Sequence, residues 1–456
     1  MNARTYPDCY TYGMTKINSG RLQDLLSFAL LMTTFAVNAN IELRWSEPFR
    51  LPPAEQGRPN PGVARPYCGE HNGMMLLAGG SNFPDTPLAD GGKKSYHATI
   101  YGATVGTNVW RVVGELSEPM GEGVAVSTSQ GVVCIGGVTG ASGESVTDKA
   151  FLMTWDAASM KVRCMPLPAF PYPVKMPAAA ARENRVYVVG GMRGNLAESD
   201  VWMLDLNAVT NKGWQALTPL PVKREQPVAA IQNTSYQRTA LFVIGGMASS
   251  EDGLQTALED GYAYDLAQGM QGKWCPIAPA KIKGSDTIWP MIGASALATG
   301  DQHVLCLGGS NREVWNDQIK HNATLTGEAL ASFRDEYFRR PFEAFKFCRR
   351  ILVYHTVTDR WFELGELPFL PRCGAAVTRL SDGSVLVASG EIGPGVRTPD
   401  CSVGTFSRSK AFHPLNAAVI ALYFIGMAFL GFYFMRRNKN SDDFFRGGAA
   451  GCLGGL

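Results

Sequence analysis

Glu391 and Arg397 stand six residues apart in one polar loop, on either side of Gly393-Pro394-Gly395. Glycine and proline so arranged favour a tight turn, which can fold the loop back and carry both side chains to one point. A carboxylate there could move protons without a cofactor, and a guanidinium could hold an anionic oxygen pair through two parallel hydrogen bonds. Five other polar loops share this composition, at residues 81–97, 138–148, 192–200, 247–260 and 310–317. Together they supply Lys93, Lys94, Arg193 and Arg312 as cations, Asp85 and Glu144 as carboxylates, and Asn82 and Asn311 as amides. If the loops converge, the mixture suits a small anionic ligand, with Asn82, Lys93, Lys94, Arg193, Asn311 and Arg312 as its binding residues. Taken singly, each of these charges reads first as a solvated loop residue.

Convergence requires a scaffold, and the chain carries a repeat that provides one. Apolar and β-branched runs ending in a glycine pair recur at Met74–Gly80 (MMLLAGG), Val132–Gly137 (VVCIGG), Val186–Gly191 (VYVVGG), Leu241–Gly246 (LFVIGG) and Val304–Gly309 (VLCLGG). A degenerate sixth copy is Val385–Gly390 (VLVASG), and the second glycines are separated by 57, 54, 55, 63 and 81 residues. A period of about 50 with this ending predicts kelch-type propeller blades, each a four-stranded antiparallel sheet, with the six loops opening on one face round a central channel. Tryptophans open most of the expected fourth strands: Trp110, Trp214, Trp274 and Trp361. The sixth blade lacks such a strand, and the missing piece sits at the other end of the ring as Ile41–Pro53, with Trp45. The expected fold is therefore all-β, a six-bladed ring over residues 40–408 closed by its N-terminal strand, which removes a free sheet edge. The wide fifth spacing reflects an insertion, Thr324–Arg350, whose aromatic and apolar residues recur at helical spacing; one or two amphipathic helices packed on the side of the ring are expected.

The 456 residues are 45% apolar, enough for a large core, and 50 glycines against 18% charged residues suit a β protein with many tight turns. A net charge of +2, with no basic stripe interleaved with aromatics, argues against a nucleic-acid partner. Ten cysteines show no CxxC pair and no metal-site spacing with histidine, so no metal or cofactor is expected. Cys134 and Cys306 fall in apolar strands as small hydrophobes. Cys68, Cys373 and Cys401 lie near the ring closure, where a disulfide is open but unassigned.

Leu25–Ala39 is a short apolar run preceded by Lys16 and Arg21, and Val37-Asn38-Ala39 offers small residues for cleavage. Residues 1–39 thus read as a secretory leader, which has 26 residues if Met14 is the start. Leu415–Met435 runs 21 residues without a charge and is followed by Arg436, Arg437 and Lys439. A transmembrane helix over 414–436 is expected, with residues 437–456 cytoplasmic and the ring periplasmic or extracellular.

Gly390–Thr398 (GEIGPGVRT) resembles the active-site loop of the bacterial kelch-type N-acetylneuraminate epimerases, or sialic acid mutarotases. That family's proposed catalytic pair is a glutamate and an arginine six residues apart, and Glu391 and Arg397 match it. Gly79–His97 is similar to the family's lysine-rich loop, Glu115–Gly137 continues the match, and the blade order resembles the branch described as cyclically permuted. The resemblance implies cofactor-free exchange of the α and β anomers of sialic acid in support of its uptake. Glu391 would do acid–base work, and Arg397 would hold the substrate carboxylate or steady developing charge; the sequence does not divide these roles further. Ala421–Gly448 resembles the first helix and following loop of sodium:solute symporters, with Ala449 where that loop normally has an arginine. This implies a functional link to a sialic acid transporter, the tail here being an anchor at most. The rival reading is a non-enzymatic propeller that binds a sugar or a protein outside the cell. A copper oxidase would need a tyrosine and histidine ligand arrangement that six histidines do not form, and the S-x-D-x-G-x-x-W boxes of sialidases are missing.

Overall fold

The computed structural model describes residues 41–53, 57–209, 212–235, 238–249, 255–282, 284–408 and 414–437. The expected leader, 1–39, and residues 438–456 lie outside these.

Each repeat builds an antiparallel sheet from sequence neighbours joined by tight turns. Ala178–Arg182 folds back on Arg185–Val189 with Ala178 opposite Val189, and Val201–Asp205 and Gln215–Ala216 complete four strands. The same order recurs in sheet I (from Tyr67 to Glu115), sheet II (Val124 to Pro166), sheet III (Ala178 to Ala216), sheet IV (Val228 to Pro276) and sheet V (Ser295 to Glu366). In sheet VI, Ala376–Arg379, Val385–Ala388 and Asp400–Arg408 are joined at the outer edge by Ile41–Trp45. Trp45 meets Phe369 edge-on, with ring centroids 5.1 Å apart. The first strands adjoin in a closed cycle, I to VI and back to I. The architecture is all-β and propeller-like.

The core sits between sheets. Phe242 and Ala263 of sheet IV pack with Val304, Leu352 and Tyr354 of sheet V, and equivalent clusters fill the other sheet-to-sheet gaps. Indole N–H groups fasten sheets III, IV and V each to the one before it. Trp214 donates to the Pro168 carbonyl, Trp274 to Thr218 and Trp361 to Ala278, each at 2.9 Å. The glycine pairs serve a close approach of backbones. Gly136 has φ +61°, and a Cβ on it would lie 2.4 Å from the Val174 carbonyl oxygen, which accepts from Gly137 N at 2.7 Å. In the degenerate copy, Ser389 replaces the first glycine. Its buried hydroxyl accepts from Val63 N (2.7 Å) and lies 2.8 Å from the Val63 and Thr398 carbonyls, so serine ties the N-terminal segment to sheet VI.

The insertion departs from expectation. Helix α1 spans Arg312–Thr324 and helix α2 spans Gly327–Phe338, followed by a short turn at Phe342–Phe345. Helix thus begins twelve residues before Thr324, inside a segment read as loop. The cause is Asn311, whose Oδ1 accepts from Glu313 N (3.0 Å) and Val314 N (3.2 Å) and satisfies the first turn. Nor does the insertion simply lie along the ring's side. Arg339 bridges to Asp90 (2.7 Å) and Asp335 (2.8 Å), fastening α2 to the Leu88–Asp90 turn over the loop mouth.

Helix α3, Pro414–Arg437, forms at the expected apolar segment and belongs to a unit separate from Glu42–Ser407. Among the residues whose side chains are described, none makes a helix long and apolar enough to cross a membrane. Cys68, Cys373 and Cys401 carry free thiols. Burial, then neighbouring Cys401, pushes the Cys68 thiol up to about 12.

Candidate active site

Six residues, one from each sheet's entry, meet where the first strands begin: Arg65, Glu122, Met176, Gln226, Gly293 and Gly374. All take left-handed φ, between +52° and +68°. A run of backbone bonds joins them round the axis. Gly374 N donates to Gly293 O (2.8 Å), Arg65 N to Gly374 O (2.7 Å), Glu122 N to Arg65 O (3.0 Å), Met176 N to Glu122 O (2.7 Å) and Gln226 N to Met176 O (3.0 Å). Four of the six are not glycine, and each such residue stores about 1–3 kcal/mol of strain that the surroundings must over-determine. Strain of this kind concentrates at binding sites, and here it aims four side chains at the axis.

Above the ring lies a cavity of about 340 Å³, within the range of small-molecule sites. Its charged lining is Arg65, Lys94, Glu122, Glu391 and Arg397. One wall is apolar and comes from the insertion, through Trp315, Tyr337, Phe338, Phe345 and Phe347. Against the expectation that the aromatics of 324–350 pack on the side of the ring, Tyr337, Phe338, Phe345 and Phe347 line the cavity, Tyr337 and Phe345 being buried there.

Glu391 and Arg397 face each other across a hairpin of Glu391–Gly393 and Val396–Arg397, whose turn is the predicted Gly-Pro-Gly. Glu391 is anchored through its backbone, exchanging bonds with Cys373 at 2.8 and 2.9 Å. Its Oε1 accepts from Gly395 N at 2.8 Å and lies 3.2 Å from Arg397 Nη1, which is not aligned for a hydrogen bond. The Arg397 side chain is only 5% exposed. Its Nε donates to the Ser81 carbonyl at 3.3 Å and its guanidinium lies 5.1 Å from the centre of the Phe83 ring.

A second charged group sits beside this pair. Glu122 Oε1 accepts from Lys94 Nζ (2.9 Å) and from the Tyr96 hydroxyl (2.8 Å). Burial alone would push the Glu122 carboxyl up, but Lys94, Arg65 and the Tyr96 bond outweigh it and hold it below the usual carboxylate range. Burial, and then Glu122, pushes the Tyr96 phenol far up, so it stays a donor. Cys373, also on the cavity, is pushed up to about 12 by burial and remains a thiol.

The predicted binding residues divide. Lys94 and Asn311 line the cavity with Glu391 and Arg397, although Asn311 spends its Oδ1 on capping α1. Lys93 is exposed and Arg193 stacks 4.8 Å from the Tyr172 ring centre, both away from the cavity lining. Arg312 pairs with Glu259 outside the lining. Asn82 is buried beneath it, bonding the Gly62 carbonyl and His97 at 2.8 Å each, and acts as a bracket. Glu144 accepts from Ser142 N within its own loop, and Asp85 is exposed. Arg65, Glu122 and Gln226 escaped the motif reading because they precede the first strands instead of following the glycine pairs. The one signal was positional: each stands directly before Pro66, Gly123 or Pro227 at the start of such a strand. Among the described residues, no three His, Cys, Asp or Glu side chains are grouped to hold a metal ion.

A family model described as N-acetylneuraminate epimerase matches residues 29–162 and 167–419. N-acetylneuraminate epimerase of Pasteurella multocida is 28% identical over 265 residues, 58% of this chain and 64% of the relative. That of Haemophilus influenzae is 30% identical over 245 residues, 53% of this chain and 59% of the relative. N-acetylneuraminate epimerase 1 of Escherichia coli O6:H1 is 26% identical over 251 residues, 54% of this chain and 61% of the relative. The chain thus spans less than two thirds of the length of each. A solved structure titled "Structure of YjhT" aligns at a TM-score of 0.49 and 13% identity, over 78% of this chain and 99% of that one.

Proposed function

From the premise that this chain belongs to the N-acetylneuraminate epimerase family, we propose that it interconverts the α and β anomers of N-acetylneuraminic acid. The observation that carries the reading is the Glu391–Arg397 pair, held across a hairpin at a cavity with one polar and one apolar side. The sugar is a 2-keto acid closed into a hemiketal. Exchange needs a proton taken from the anomeric hydroxyl, cleavage of the bond from the anomeric carbon to the ring oxygen, and a proton given to that oxygen. The open ketone turns its other face and the steps reverse. Glu391 can both take and return the proton, since its described contacts fall on Oε1 and leave Oε2 for the ligand. Its side chain is 27% exposed, shielded yet reachable. Arg397 steadies the carboxylate from behind and compensates charge on the oxygens of the opening ring. The apolar wall suits the acetamido methyl group.

The rest of the reading follows the same premise. The fold is a six-bladed kelch propeller of the permuted branch, exported by residues 1–39, with α3 anchoring it in the membrane beside a sialic acid transporter. The test is to dissolve one crystalline anomer and follow both anomer signals by NMR with catalytic amounts of protein. Relaxation faster than the buffer rate, unchanged by EDTA, is expected; buffer-rate relaxation would sink the reading.

A further inference from the structure

We infer that Arg65, at the floor of the cavity, is the residue that grips the ligand's carboxylate. The inference rests on the sugar-acid reading above and names the group that would make the site selective for an acid.

Three observations converge. The first is reach. In the six-residue ring Arg65 and Gln226 stand opposite each other, three positions apart, and Arg65 Nη2 donates to Gln226 Oε1 across the axis. The side chain passes over Gly374, where a Cβ would lie 2.8 Å from Arg65 Cγ, so glycine there leaves its path open. Arg65 and Gln226 line both the 340 Å³ cavity and the central channel beyond it. Their contact therefore forms the floor between the two, with a guanidinium on the axis.

The second is charge balance. The cavity lining holds three cations, Arg65, Lys94 and Arg397, against two carboxylates, Glu122 and Glu391. Glu122 is paired with Lys94 and Glu391 with Arg397. Arg65 is the remainder: among the described residues no carboxylate oxygen lies within 4 Å of its nitrogens, and its side-chain bond goes to an amide oxygen. Nearby Glu225 is off the lining and is occupied by Ser249 and Gln255 at 2.9 Å each. The lining thus carries one more cation than carboxylates, and Arg65 is the cation without a contact ion pair, an excess that one ligand carboxylate would match. A guanidinium has five N–H donors in a fork, so the bond to Gln226 leaves a pair for bidentate binding.

The third is strain. Arg65 holds φ +52° directly before Pro66, a costly conformation for a non-glycine residue. The ring backbone maintains it, and what it delivers is this guanidinium to the axis. Arg397 was the sequence-level candidate for the carboxylate; its pairing with Glu391, Ser81 and Phe83 leaves it poorly placed for that task.

The experiment titrates the full chain with N-acetylneuraminic acid and with its C1 methyl ester, which removes the charge and adds one methyl group. Wild type should prefer the acid by about 30-fold or more, the lower end of what one partner of a shielded charge pair is worth. Arg65→Met should bind both equally, with ester affinity unchanged. Arg65→Lys should fall between, because charge stays and the fork is lost; it reads the same ratio should the methionine variant not fold. A full acid preference in Arg65→Met, or no preference in wild type, overturns the inference. Anomer exchange is scored separately: a wild type that prefers the acid yet does not exchange anomers sinks the mutarotase reading, and the Arg65 variants still decide the role of this residue.

Discussion

Glu391 and Glu122 are two carboxylates on one cavity with different surroundings, and the difference predicts different behaviour. Glu391 has an oxygen without a described protein contact, so Glu391→Gln, which keeps size and hydrogen-bonding reach, should slow anomer exchange by about 10²–10⁴ with little change in melting temperature. Arg397→Lys should also slow exchange, since a compact ammonium cannot reach Glu391 and the Ser81 carbonyl together while stacking on Phe83. Normal exchange in both variants, followed by NMR, would move the chemistry elsewhere. Glu122 is instead buried, takes Lys94 and the Tyr96 hydroxyl on Oε1, and its carboxyl is held below its ordinary value. Such a group stabilises the fold at pH above the unfolded-state value of about 4.3, and that contribution drains away as pH falls through the lower folded value. Glu122→Gln should therefore melt lower than wild type at neutral pH, with the gap closing under acid; a gap independent of pH refutes the assignment. The sequence marked Glu391 and Arg397 because they share one loop. Arg65, Glu122 and Gln226 stand 57 and 104 residues apart, and only ring closure makes them neighbours.

At the scale of elements, two devices set the site. One is the glycine pair, which lets a strand end touch the neighbouring sheet's entry strand. Gly136→Ala combines a left-handed φ with a Cβ 2.4 Å from a carbonyl oxygen, so it should destabilise by more than about 2 kcal/mol in denaturant unfolding. A smaller loss would mean that the two sheets can part at that junction without cost. The other device is the insertion. Its aromatic periodicity was legible, and it does form helices, yet neither its start nor its position was. The start depends on Asn311 capping, which a polar loop sequence hides among other polar residues. The position depends on Arg339 reaching Asp90, 249 residues away in sequence, and on a cavity mouth that needs an apolar wall.

For the whole molecule, the proposed reading places the ring outside the membrane, exported by residues 1–39. Protease added to intact spheroplasts should digest residues 41–408, and complete protection would count against export. The repeat decided the sheets from the sequence alone, because each four-stranded unit is built from residues close in the chain and its strand ends carry their own glycine and tryptophan signals. The same logic foretold the partner of Ile41–Trp45, since a sheet with a missing edge must find one. Residue type and spacing also sufficed for the Glu391–Arg397 hairpin, a local structure with its own turn. What the tertiary structure alone decided is which loop charges share a space. Lys93, Arg193 and Arg312 have the right chemistry, but side-chain direction at a loop tip is set by packing from other sheets, and they point away from the cavity lining. Arg65 reaches the centre because six chain entries converge on one axis, a consequence of closing the ring that no local pattern records.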